Sequence, residues 1–142
     1  MNAVLPLHLT LAGLWVGCVL TEVFFERALL GHGHEQERVL AQLHRKVDLW
    51  IELPALIGVF LTGGTMLHRA QRDPWLMGKV ACGLLAVLAN LYCVYLVLQR
   101  ARCAQAGQWK AFERIDHAQH RWGAVVLIAL LLSLLQGLIR VS

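Results

Sequence analysis

The chain has 142 residues, 58% apolar and only 15% charged, too hydrophobic for a disordered segment and well short of the ~25% charge common in soluble domains. One domain fits this length, and four spans of ~20 apolar residues would use more than half of it, leaving connections too short for a separate soluble unit. The net charge of +4 comes from basic residues placed almost entirely between apolar runs. With no nucleic-acid-binding motif beside them, they read as topology signals and argue against a nucleic-acid partner.

The first predicted helix covers 3–30. It lacks the basic start and small-residue cleavage site of a signal peptide and carries two acids, so it is expected to be part of the mature protein. On it His8, Ala12, Trp15, Val19, Glu22 and Glu26 follow alternating steps of four and three, which places them on one stripe. After a short turn, Gly31 to His34, the second helix is predicted over 45–69. His44, Asp48 and Glu52 stand at four-residue steps and continue through Ala55, Val59 and Thr62. The third, 75–100, presents Lys79, Gly83, Ala86, Asn90 and Val97 on a face of mostly small residues suited to close helix packing. The fourth, 117–140, repeats the pattern with His117, His120, Ala124, Leu127 and Leu131. Short connections make this a single all-α transmembrane domain, 1–142, with an up-down-up-down four-helix bundle.

Cys18, Cys82, Cys93 and Cys103 have no CxxC spacing and three lie in apolar runs, so neither a disulfide framework nor a thiolate zinc site is expected. Nine of the 13 Lys and Arg residues flank the first and third connections and four the side of the termini. The positive-inside rule then puts those connections in the cytoplasm and both termini outside, as in a bacterial inner-membrane protein. Trp50, Trp75, Trp109 and Trp122 lie near segment ends, as interfacial anchors do.

Ionisable groups inside a span cost several kcal/mol unless they face the bundle interior, and they fall into two layers here. Toward the cytoplasm, Glu22, Glu52 and Asn90 lie ~9–13 Å inside the helix ends by the helical rise, with Glu26, His44, Asp48, Asp116, His117 and His120 around the mouth. Carboxylates and imidazoles converging from facing helices suit a divalent transition metal such as iron, copper or zinc, with Glu22, His44, Asp48, Glu52 and His117 or His120 as ligands. The same residues also fit plain interhelical contacts with Arg45, Lys46, Arg121 or Asn90, or a proton pathway; Glu26, His32, His34 and His117 taken singly read as solvated. Toward the outside, His8 on the same stripe as Trp15, opposite Gly83 and Ala86, has the parts of a haem site, with Lys79 as a propionate partner. His68, a further axial candidate, lies off the interior stripe.

His8 followed by Trp15, the Ile51-Glu52-Leu53-Pro54-Ala55 stretch, and Trp75-Leu76-Met77-Gly78-Lys79 opening the third span resemble small membrane proteins that include the haem-dependent protoporphyrinogen oxidases and the membrane domain of copper-resistance protein D. The resemblance implies a haem b or copper-related membrane function, with His8 and Lys79 matching functional positions. The leading expectation is therefore a membrane oxidoreductase in electron transfer with a quinone or porphyrin-like molecule in the lipid, Glu22, Glu52 and Lys79 taking part in the reaction. Two alternatives stand beside it. One is a non-haem metal enzyme, including a di-metal one, or a metal-handling protein. The other is a non-catalytic subunit or assembly factor, a homodimer or part of a larger complex, packed along the Gly13/Gly17 seam.

Overall fold

A computed structural model describes residues 3–141 of the chain. Its elements are α1 (Val4–Leu29), α2 (His34–Val47), a π-helical turn (Asp48–Glu52), α3 (Leu53–Arg69), α4 (Pro74–Gln105) and α5 (Trp109–Val141). Since α2, the π turn and α3 run on without a break, the result is four helices, each long and apolar enough to cross a membrane. The described residues include no strand. The expected all-α four-helix bundle is what forms.

Two helices begin earlier than the hydropathy indicates: the second at His34 instead of 45, the fourth at Trp109 instead of 117. Hydropathy marks where the apolar stretch starts, whereas the helices continue because their polar extensions have a core of their own. Leu40 and Ala41 are fully buried, and Ala41, Ala101, Ala104 and Phe112 cluster together. The connections shrink accordingly. Gly107, at φ +70°, closes α4, with Gln108 N–H donating to Cys103 O at 2.9 Å, a turn that the left-handed region reserves for glycine. At the other end of α4 the Asp73 side chain accepts from Leu76 N–H at 2.7 Å and Pro74 fills the first helical position.

The π turn has a cause in the sequence. Pro54 has no N–H to offer the carbonyl of Trp50, and the helix widens just before it, Leu53 N–H donating to Asp48 O. Within this widened turn both Asp48 and Glu52 are buried while Trp50 is 79% exposed.

α4 packs along α5, α1 along α3, and α2 against α1 and α4, whereas α1 and α5 touch little. The pairs meet in a core of Trp15, Val19, Leu56, Ala86, Val126 and Leu130 with their small neighbours. Leu5, Phe24, Leu88 and Leu138 are exposed on the flanks, a distribution suited to lipid as the surrounding solvent. Gly13 and Gly17 lie exposed on α1 with open space where a side chain would stand.

Candidate metal centre

The stripes expected on α1, α2 and α4 face inward: Ala12, Trp15, Val19 and Glu22; His44, Asp48, Glu52 and Ala55; Ala86, Asn90 and Val97 are all buried. The α5 stripe is corrected. Phe112, Asp116, Gln119, Val126 and Leu130 are buried there, while His117 and Leu131 are exposed and the His120 side chain is 48% exposed. Beyond Trp122 this helix is apolar nearly all round, so periodicity carries no orientation; the polar turn 112–119 docking against α2 and α4 sets it.

His44 occupies the centre. Its Nε2 lies 3.1 Å from Glu22 Oε2 and 3.6 Å from Asp48 Oδ1. One ligand atom each from Glu22, His44 and Asp48 fall within 4.8 Å of one another, and all three residues are buried. Glu52, 2% exposed, joins them: its Oε1 accepts from Asn90 Nδ2, whose own Oδ1 accepts from Trp15 Nε1 at 3.3 Å. Among the described residues, Glu22 Oε1, Asp48 Oδ1 and Glu52 Oε2 are buried without a hydrogen-bond donor. Buried carboxylate oxygens in that condition need a proton or a cation.

On the other side of the imidazole, His44 Nδ1 lies 3.0 Å from Glu26 Oε1. Glu26 also accepts from Arg100 Nη2 at 2.7 Å, and Arg100 Nη1 donates to Asp116 Oδ1 at 2.6 Å. Arg100, fully buried, has a sequence reading as one of the topology charges; it is in fact the internal counter-cation of this layer. Glu26, expected to be solvated, is held in the same network. Glu26, Asp116 and His120 form a second group of potential ligands, but the guanidinium already bridges two of its carboxylates. His117 lies apart, its Nδ1 on Glu113 O at 2.7 Å. The signal for Arg100 is legible in retrospect: Cys93, Val97, Arg100 and Ala104, at steps of four, three and four, continue the buried face of α4 beyond its apolar run.

The centre forms the floor of a cleft of about 400 Å³, walled by Val19 and Val23 of α1, Cys93 of α4, and Gly123, Ala124 and Leu127 of α5. It opens sideways where α1 and α5 separate.

Neither of the two described cavities is lined by more than one of the residues expected around a haem. His8 is half-buried, its Nδ1 on Thr62 Oγ1 at 2.7 Å, and a Cβ on Gly63 would stand 3.3 Å from its ring. Trp15 and Ala86 are sealed in the core, and Lys79 reaches over Gly137 of α5. His68 is exposed on a shallow hollow of α3 with Phe60 and Leu61. As arranged, these groups do not fit the macrocycle. No family model, no curated protein and no solved structure matches the chain.

Proposed function

We propose that the chain is an integral-membrane metalloprotein of the enzyme type, holding one divalent transition metal through His44 Nε2 and the carboxylates of Glu22, Asp48 and Glu52. One observation carries the reading. Glu22 Oε1, Asp48 Oδ1 and Glu52 Oε2 are buried with no hydrogen-bond partner among the described residues, around a His44 whose Nε2 lies 3.1 Å from Glu22 Oε2 and 3.6 Å from Asp48 Oδ1 and whose Nδ1 lies 3.0 Å from Glu26 Oε1. A carboxylate on the far nitrogen is the usual way of fixing a ligating imidazole in tautomer and orientation. Here the carboxylate is itself fixed by Arg100. One nitrogen and several oxygens suit iron, manganese or zinc better than copper(I), which prefers thiolate and thioether ligands.

A donor set open to a cleft on one side favours catalysis over a structural role, since closed sites are the structural ones. A divalent ion would supply Lewis-acid polarisation or an acidified water there. Asn90 holds Glu52 in place, and Arg100 with Glu26 holds His44. The proposed orientation keeps both termini outside. Arg100 no longer counts as a loop charge, but eight basic residues still flank the first and third connections against four on the terminus side.

Elemental analysis joined to an absorption spectrum of detergent-purified protein tests the reading. About one equivalent of metal is expected, lost in both Asp48→Asn and Glu22→Gln while the helical circular-dichroism signal is kept. Metal retained in both variants overturns the reading. So does a Soret band abolished by His8→Ala in protein free of other metal, which would move the cofactor to the outer end as the resemblance implies.

A further inference from the structure

The cleft above the centre has walls and a floor of opposite character. The walls, Val19, Val23, Gly123, Ala124 and Leu127, carry no polar side chain, and Val23 and Ala124 are exposed at its opening. They belong to helices long and apolar enough to span a membrane, so an opening between α1 and α5 would face hydrocarbon, with Arg27 and His120 lining it toward the helix ends. Glu26 lies about 5 Å, one helical turn, from the end of α1, at the depth where the head of an amphiphile resides while its tail points to the midplane. Its Oε1 is taken by His44 and Arg100, and its Oε2 is buried with no donor. His120 Nε2 lies 3.9 Å from this oxygen, beyond hydrogen-bond distance, and Glu26 stands outside the metal donor set, so the acceptor still lacks a donor when the metal is in place.

Charge narrows the occupant. Glu22, Glu26, Asp48 and Glu52 line the cleft, and Arg100, the fixed cation buried beside them, is already shared between Glu26 and Asp116. A carboxylate or phosphate offers Glu26 Oε2 no proton and would be brought against this acidic floor, while the cations that line the cleft, Arg27 and His120, stand at its mouth. An uncharged head that donates an O–H to Glu26 Oε2 completes an unmet hydrogen bond, a contact that discriminates strongly against analogues lacking the donor. We infer that the cleft takes a membrane-dissolved molecule with an uncharged hydroxyl head, the hydroxyl on Glu26 and the apolar tail along Val19, Val23 and Leu127. This names the substrate class of the proposed metal site and rests on that reading for its chemistry. Access is sideways from the lipid.

The test uses the full chain in lipid nanodiscs and two photoreactive probes of equal length, a diazirine-bearing hexadecanol and the corresponding hexadecanoic acid. The alcohol is expected to label Val23, Ala124 or Leu127 saturably, with unlabelled hexadecanol competing, and at least tenfold more than the acid does at neutral pH. Ala124→Phe and, separately, Leu127→Trp fill the cleft from its wall and should each reduce alcohol labelling at least fivefold with metal content unchanged. Equal labelling by the two probes, or labelling that neither variant reduces, overturns the inference. Metal content measured on the same samples separates the two readings: metal present with no preference for the alcohol refutes the substrate class alone, and saturable alcohol labelling without metal refutes the metal alone.

Discussion

Replacing Arg100 by Met removes the charge that the polar layer is built around and keeps most of its apolar volume. Two charge-assisted hydrogen bonds are lost, to Asp116 at 2.6 Å and Glu26 at 2.7 Å, each worth about 1.5–3 kcal/mol. The side chain is completely buried, so water does not replace the guanidinium, and breaking one partner out of a buried ion pair costs about 3–5 kcal/mol. The two routes agree on about 3–5 kcal/mol, read as the shift in unfolding free energy on SDS titration of the protein in mixed micelles. The triple variant Arg100→Met, Glu26→Gln, Asp116→Asn removes the stranded charges as well and should recover most of that loss, because a buried ionic cluster exchanged as a unit is close to neutral. A single-variant loss below about 1 kcal/mol, or a triple variant no better than the single, would refute the view that Arg100 balances this layer.

Trp15→Phe keeps the ring in the core but withdraws the donor to Asn90 Oδ1. It should cost about 1–3 kcal/mol in the same titration and lower metal affinity through the loosened Glu52. Gly58→Val sets a Cβ 2.6 Å from the Leu11 methyl carbon; forcing α1 from α3 should cost about 1–3 kcal/mol, with Gly13→Val, in open space, as the silent control. Asp73, in the connection before α4, has its carboxyl held below its ordinary value of 3.8, first by Leu76 N–H and further by Arg140. Because the folded value is the lower one, its contribution is complete above about pH 4 and fades as the pH falls through that lowered value. Asp73→Ala should therefore lower the unfolding midpoint at pH 6 and have a diminishing effect below pH 3.

The inward stripes of α1, α2 and α4 are legible because each carries acids, an imidazole or an amide amid apolar residues, and hydrocarbon penalises those groups wherever they do not meet. His44, Asp48 and Glu52 therefore reveal their face from spacing alone. α5 does not, since a segment apolar on every side has no preferred direction until Phe112, Asp116 and Gln119 dock. Arg100 is hidden for a related reason: a basic residue after an apolar run looks the same whether it anchors a loop in water or turns back into an acid pair. The cleft is not legible either, because it depends on α1 and α5 standing apart, a relation between helices that no single stripe records. Glu26 lies on the predicted stripe, yet its partners come from α2 and α4, and only their approach distinguishes it from a solvated helix end.

The proposed function requires a cation held among Glu22, His44, Asp48 and Glu52. X-ray absorption at the edge of whatever metal copurifies tests this most directly. The expected result is a first shell of nitrogen and oxygen alone at ~2.0–2.2 Å for a zinc-sized ion, with imidazole scattering that disappears in His44→Gln. A sulfur shell near ~2.3 Å, which would bring in Cys93 or Cys18, or an imidazole signal that survives in His44→Gln, would contradict it.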